Sequence, residues 1–331
     1  DDNSTEVAGY VLYRKSMGRL VIEPSLHLHY YTSLPVISPE PRFSAKFNLT
    51  ENIRLKFATG IYSQNFISSK SDKDVVNLFT GFLTAPDGAL TGLDGQPVNN
   101  NLQRAVHFVG GIEIDMIKNT EITIEPYYKS FTQLININRN KLLPSDPDFQ
   151  IETGEAHGVD FLLKYDYQKL YLWVAYSLGY VTRNNGDQTY YPHFDRRHNA
   201  NLVATYTWGK NDSWEFDARW NLGSGFAFTK TQGFYEFLNF SGGINTNYTT
   251  DNGSLGIIYD STLNTGRLPY YHRLDLSVKK KIELKDNLEM EITGSVINVY
   301  NRENIFYFDR IRYVRVNQLP ILPAIGISLD F

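Results

Sequence analysis

The chain has 331 residues, a formal net charge of −4, no cysteine, and an aromatic content of 14% in which 23 tyrosines and 20 phenylalanines dominate. The missing cysteines exclude disulfide frameworks and thiolate metal sites, and the small charge without a basic stripe excludes a nucleic-acid-binding surface. Mean hydropathy is −0.35 and no run approaches the roughly 18 apolar residues of a membrane helix, yet a membrane β-barrel stays open, because its strands hide their apolar half by alternation.

The opening DDNSTEVAGY has neither a cationic nor an apolar stretch of the kind that makes an export signal. From there on period-two alternation dominates and helical periodicity is nearly absent. It predicts about 13 strands, near 5–15, 19–31, 41–49, 53–63, 104–115, 121–131, 156–167, 169–181, 198–208, 214–224, 271–284, 287–299 and 320–331. In RLVIEPSLHLHYY, Leu20, Ile22, Pro24, Leu26, Leu28 and Tyr30 fall on one face, opposite Val21, Glu23, Ser25, His27, His29 and Tyr31. In PRFSAKFNL and IRLKFATGI the polar face carries Arg42, Lys46, Arg54 and Lys56. KLYLWVAYSLGY and WEFDARWNLG repeat the pattern, and the chain closes on ILPAIGISLDF with Ile325, Ile327, Leu329 and Phe331 alternating. Many of these strands have the roughly 9–11 residues that cross a hydrocarbon core when tilted.

The connections alternate in length. Short ones (SMG, TEN, IKNT, Gln168, GKNDS, KDN) face long ones near 64–103, 132–155, 182–197, 225–270 and 300–319, with a shorter one at 32–40. Short turns on one rim and long loops on the other are the asymmetry of outer-membrane barrels, which favours that reading over a soluble all-β fold. On the polar face, Glu289 and Glu291 can pair with Lys279, Lys281 or Arg273, and Asp217 can face the neighbours of Arg219. On the lipid face an arginine or lysine at midplane would cost about 2–4 kcal/mol. Pro24 and Pro126 cannot donate to a ladder and are expected to mark bulges or kinks. Tyr30, Tyr165, Tyr176, Tyr180, Trp208, Trp214 and Trp220 suit an interfacial girdle.

With the short turns periplasmic, the last strand runs inward and ends in the periplasm, while the first residue lies outside the cell. Single-chain bacterial barrels have an even number of strands. An odd count therefore implies that Asp1 falls inside an extracellular loop of a longer barrel, whose earlier strands belong to an upstream part or to another chain; a miscounted strand is the alternative.

Several segments resemble the C-terminal half of a TonB-dependent outer-membrane receptor: PRFSAKFNLTENIRLKFATGIYSQ, the stretch FDRRHNANLVATYTWGKNDSWEFDARWNLGSGFAFTKTQGFYE, RLPYYHRLDLSVKKKIEL, GSVINVYNRENIFYF and the terminal LPAIGISLDF. The resemblance covers nearly the whole chain. It implies an all-β, membrane-spanning antiparallel barrel of 22 strands, to which residues 1–331 contribute the C-terminal part, with the plug domain and TonB box absent from this chain. It further implies a receptor and transporter, not an enzyme and without a cofactor, importing a nutrient such as a glycan, peptide or metal chelate. The implied partners are outer-membrane lipid, the remaining strands and plug, the TonB complex reached through that plug, and the barrel-assembly machinery. That machinery would read Gly326, Leu329 and Phe331 as its assembly signal. A competing class is a receptor-like barrel that docks a surface lipoprotein or another envelope component without transport.

Candidate site residues follow. His27 and His29, two apart on one face, have a spacing that can ligate a metal, against the alternative of a polar wall with no third ligand. Arg196, Arg197 and His198 in DRRHN, with His272 and Arg273 in YYHRLD, fall where strands meet the long-loop rim and suit either a hydrogen-bond network or direct ligand contact. Phe226, Phe228, Phe234, Tyr235 and Phe237 supply rings for stacking on a ligand. GSGF (Gly223 to Phe226) matches neither a nucleophile elbow nor a phosphate loop and suits a flaring strand end or space for plug or ligand. The acidic groups Asp72 and Asp74, Asp146 and Asp148, and Asp251 lack EF-hand spacing and read as solvated loops.

Overall fold

The computed structural model describes residues 5–32, 34–68, 81–86, 88–138, 141, 143–237, 254–285 and 288–331. Thirteen long strands form one sheet in chain order. They are β1 (Glu6–Leu12), β2 (Leu20–Tyr31), β3 (Val36–Asn48), β4 (Ile53–Gln64), β5 (Gln103–Ile114), β6 (Thr120–Ile137) and β7 (Phe149–Tyr167). They continue with β8 (Leu170–Asn184), β9 (His198–Trp208), β10 (Trp214–Gly223), β11 (Tyr271–Lys285), β12 (Leu288–Ile297) and β13 (Leu322–Asp330). Every neighbouring pair is antiparallel. All thirteen predicted strands are present, and among the described residues no helix is long and apolar enough to cross a membrane.

Register explains why the alternation is legible strand by strand. Residues paired across an antiparallel ladder share a face, and one such row runs Ile53, Ile114, Ile122, Leu163, Val174, Leu202, Trp220 and Leu274 across eight strands. This face is apolar over its width yet open: Ile325 on β13 is 83% exposed. The opposite face carries the charges. There Glu113 accepts from Arg54 Nε at 2.7 Å and Lys46 Nζ at 3.3 Å and pairs closely with Lys56, while Arg54 also pairs with Asp115. An apolar surface that large has no place in water; it matches a sheet with lipid on one side and a polar interior on the other. Among the described residues β1 and β13 each pair with a single long strand, so both outer edges of the sheet carry open ladders.

The two rims differ as the sequence predicts. Residues 13–19, 49–52, 115–119, 168–169 and 209–213 connect strands at one rim, and 65–102, 138–148, 185–197, 224–270 and 298–321 at the other. Left-handed Gly18 (φ 59°) and Asn119 (φ 60°) close two of the short turns. Four small hairpins (Phe66–Ser68 with Phe82–Thr84, Ala227–Phe228 with Gly266–Arg267, Thr231–Phe237 with Ser254–Tyr259, and Ile305–Asp309 with Val314–Asn317) all grow from the long connections.

Three expectations need correction. The connections predicted at 32–40 and 132–155 shrink to 32–35 and 138–148, because β3, β6 and β7 extend further towards this rim. Pro24 and Pro126 mark no bulge. Both strands keep constant register through them, and each proline falls at a gap in one ladder, Pro24 between the β1 pairs and the Lys15–Met17 pairs, Pro126 opposite Gly110. The bulges lie instead at Arg104/Ala105, Glu152/Gly154 and Glu283/Lys285. Lys281 stands opposite Glu291, as expected, but Lys279 pairs with Glu215 on β10, at 2.9 Å. The hydroxyls of Thr205 and Ser277 donate to Asp217, at 2.7 and 3.0 Å.

Candidate ligand site at the long-loop rim

Long loops carry backbone polar groups that must find partners, and here three of them find those partners in one another. Asp195, fully buried, accepts from the Val181 N–H at 3.1 Å and pairs with Arg267, whose Nη1 also donates to the Asp195 carbonyl at 2.7 Å. The Gln188 side chain donates to the Ser261 carbonyl and accepts from the Leu263 N–H, both at 3.0 Å. Asn264 donates to the Tyr191 carbonyl at 2.8 Å. From the last connection, buried Arg310 donates to the Thr229 carbonyl at 2.6 Å and to Thr231 Oγ1 at 3.0 Å, with Phe228 and Tyr259 flanking its guanidinium. Connections 185–197, 224–270 and 298–321 therefore form one hydrogen-bonded cap over strands β8–β12.

Within this cap lies a cavity of about 480 Å³. Arg196 forms one wall. Its guanidinium lies 4.3 Å from the Phe226 ring centroid and 5.9 Å from that of Tyr271, and its Nε donates to the Ser224 carbonyl at 3.2 Å. The glycines of GSGF make room for this packing: a Cβ on Gly223 would collide with the Arg196 guanidinium, and one on Gly225 with the Leu268 carbonyl. Burial lowers the Arg196 pKa from its ordinary value, yet an arginine stays charged. Arg302 and Arg315 also line it. Arg302 Nη2 donates to the Tyr270 carbonyl at 2.7 Å while its buried Nε has no partner. Arg315 Nε donates to Asn317 Oδ1 at 2.6 Å, and its Nη2 contacts the Glu303 carbonyl.

A second cavity of about 640 Å³ lies beside the first, lined by Tyr191, Arg197, His198, Asn264 and Arg267 among others. Arg197 sits over the rings of Tyr180 and Tyr191, at 4.9 and 4.7 Å, and 3.8 Å from Asp195. Its guanidinium is thus neutralised within the protein, unlike that of Arg196.

The remaining candidates scatter. His198 Nδ1 lies 2.8 Å from Tyr176 Oη and His272 Nδ1 lies 2.7 Å from Tyr300 Oη, both on the apolar face of the sheet. Arg273 pairs along its own strand with Asp275, at 2.9 Å. Phe228 packs on Gly266, Phe234 meets Tyr313 edge-on at 6.0 Å between ring centroids, and Tyr235 covers Gly256. Only Arg196 and Phe226 of the proposed ligand residues share the first cavity. The side chain of Phe237, and Asp72, Asp74 and Asp251, lie outside the described residues. Asp148 pairs with Lys141 at 2.6 Å, and Asp146 caps the Leu143 N–H at 2.8 Å.

His27 stacks on Tyr10 with centroids 5.1 Å apart, and His29 stacks on Tyr31 while its Nε2 lies 3.9 Å from Glu40. Among the described residues no three His, Asp or Glu side chains gather as metal ligands would. Gly326 and Leu329 pair with Thr293 and Met290 on β12, and Phe331 is fully exposed at the end of β13. Sequence reasoning missed Arg302, Arg315, Asp195 and Arg310. The one available signal was NVYNREN, whose Asn298 is fully buried and binds the Arg302 carbonyl and N–H at 3.0 and 2.9 Å, fixing where Arg302 points.

The fold so described is that of the β-barrel portion of TonB-dependent outer-membrane receptors. The outer-membrane transporter YddB from Escherichia coli superimposes with a TM-score of 0.62 at 10% identity, over 99% of this chain and 45% of that one. The ferric-catecholate import receptor Fiu from E. coli K12 gives 0.62 at 14% identity, over 99% and 44%. The ferripyoverdine receptor of Pseudomonas aeruginosa, bound to ferripyoverdine, gives 0.59 at 10% identity, over 99% and 38%. The chain thus spans less than half the length of each, and at these identities the likeness is one of fold. No model of a known protein family and no curated protein matches the sequence.

Proposed function

We propose that this chain forms part of the wall of an outer-membrane receptor that imports a nutrient ligand, captured at the long-loop rim. The observation that carries the reading is the joining of three long connections into one cap, with cavities, above a sheet whose other face is apolar across its strands. A cap held by buried ion pairs and side-chain-to-backbone bonds is pre-organised, and pre-organisation lowers the cost of capturing a ligand. The solved structures of the same fold include proteins described as transporters and import receptors, which supports import over enzymatic chemistry.

On this reading further strands cover the open edges of β1 and β13, a plug occupies the polar interior, and the TonB complex drives uptake through that plug. The apolar face contacts outer-membrane lipid, with the short turns periplasmic, and Gly326, Leu329 and Phe331 serve the barrel-assembly machinery. The test compares cells with and without the protein in a defined mixture of nutrients, following by mass spectrometry which compounds leave the medium. Import expects at least one compound whose uptake needs both the protein and the inner-membrane proton gradient. Uptake indifferent to a protonophore, or no compound at all together with stable co-purification of an envelope partner, would replace import with the docking reading.

A further inference from the structure

We propose that the cavity bounded by Arg196, Arg302 and Arg315 is an oxyanion site, and that its ligand is an organic anion joining a carboxylate or phosphate head to a ring-bearing body. This rests on the reading of the long-loop rim as the ligand-facing side and specifies what that side selects.

The first ground is charge. Of the described residues, eight arginines elsewhere are answered by carboxylates within 4.0 Å, among them Arg42 by Glu40, Arg54 by Glu113 and Asp115, Arg183 by Glu152, Arg197 and Arg267 by Asp195, and Arg273 by Asp275; Arg19, Arg104 and Arg219 are not, but none of those three lines this cavity. Among the described residues Arg196, Arg302 and Arg315 form no such pair, and all three line one cavity. Glu303 is the single acidic residue lining it, so three positive charges against one negative leave an excess of two. Gathering unpaired charges is unfavourable unless a counter-charge arrives; the described residues supply only Glu303, and a ligand would supply the rest.

The second ground is rigidity. Arg196 is held between two rings over a glycine that alone leaves room for it. Arg302 is fixed by its bond to the Tyr270 carbonyl, and Arg315 by bonds at both ends of its guanidinium. Arginine forks fixed in this way recognise planar or tetrahedral oxyanions through paired, charge-assisted hydrogen bonds. The third ground is the rest of the lining. Phe226, Tyr270 and Phe306 present ring surface beside these donors, which suits an attached flat body better than a bare inorganic ion.

The test uses the complete outer-membrane protein in detergent and three probes: phenyl phosphate, which has head and ring; inorganic phosphate, which has the head alone; and benzyl alcohol, which has the ring alone. Calorimetric titration is expected to rank them in that order, with benzyl alcohol not binding. Arg302→Gln and Arg315→Gln should each weaken phenyl phosphate about tenfold or more, the scale of a lost charge-assisted hydrogen bond. Arg19→Gln, whose guanidinium meets only the Leu49 carbonyl at the other rim, should leave binding unchanged. Arg315 lies on an exposed hairpin, so its variant keeps the test valid if Arg302→Gln misfolds. Equal binding of benzyl alcohol, unchanged affinity in both arginine variants, or no binding of phenyl phosphate at millimolar concentration would overturn the proposal. The last outcome would assign the cavity to an acidic side chain from the rest of the receptor. Binding without any gradient-dependent uptake would sink the import reading and leave the oxyanion site standing.

Discussion

The polar wall near the short turns and the cavity under the long loops are built from the same residue types with opposite bookkeeping of charge. On the wall, Glu113 stands among Lys46, Arg54 and Lys56, and Asp115 and Glu125 complete the set. Every cation there has an acid, and the cluster needs nothing from outside. At the rim, Asp195 satisfies Arg197 and Arg267 in the same way, but a few residues away Arg196, Arg302 and Arg315 form no ion pair among the described residues, and Glu303 is the one acid lining their cavity. The difference teaches where structure ends and recognition begins: matched charges hold a surface in place, and fixed but unmatched ones make it selective. Natural sites commonly trade stability for function in this way.

Substitution breaks or sharpens the contrast, with unfolding of the complete protein in lipid vesicles as the measurement. The largest loss is expected for Glu113→Leu, which removes the one carboxylate shared by Lys46, Arg54 and Lys56 and leaves them only Asp115 and Glu125. A broken buried ion cluster costs about 3–5 kcal/mol. Asp195→Asn should follow, at the lower end of that range, because the amide keeps an oxygen to accept from the Val181 N–H. It should also loosen the cap, read as faster proteolysis within 185–197 and 224–270. Arg54→Met removes the charge-assisted bonds to Glu113 and Asp115 and should cost about 1.5–3 kcal/mol. The sharpening case is Arg315→Met, which should fall within about 0.5 kcal/mol of the parent, since no ion pair is lost. A loss comparable with that of Arg54→Met would mean that the rim charges are structural after all.

How much of this the sequence could show depends on whether a segment has one covered face or two. Strands β8 to β11 lie between lipid and a polar interior, so Leu170 to Tyr180 and Trp214 to Gly223 alternate cleanly and their boundaries fall within a few residues of expectation. The upper ends of β6 and β7 are different. Leu134, Ile135 and Asn136 are buried in succession, as are Ile151 and Glu152, because neighbouring connections cover both faces there. A strand covered on both sides loses its period-two signature, and those segments read as loop. The bulge at Glu152/Gly154 disrupts the pattern further.

The site was less legible for a related reason. Arg196 and Phe226 could be singled out because they flank recognisable strand ends. Arg302 and Arg315 sit in a connection with no period, and what brings them to Arg196 is an asparagine-closed turn at Asn298 and a short hairpin. His198 and His272 were legible as rim residues but not as tyrosine-bound ones, since Tyr176 and Tyr300 lie 22 and 28 positions away.

The central claim is that the long-loop rim faces the outside of the cell and the short turns face the periplasm. These 331 residues hold no cysteine, which permits a direct measurement once any cysteine elsewhere in the receptor is replaced by serine: single cysteines introduced by Gly88→Cys, at an open long-loop position, and by Lys118→Cys, in the exposed 115–119 turn, treated on intact cells with a maleimide that cannot cross the outer membrane. The expected result is labelling of the Gly88→Cys protein on intact cells, and of the Lys118→Cys protein only after the outer membrane is permeabilised. The reverse pattern, or equal labelling of both on intact cells, would contradict it.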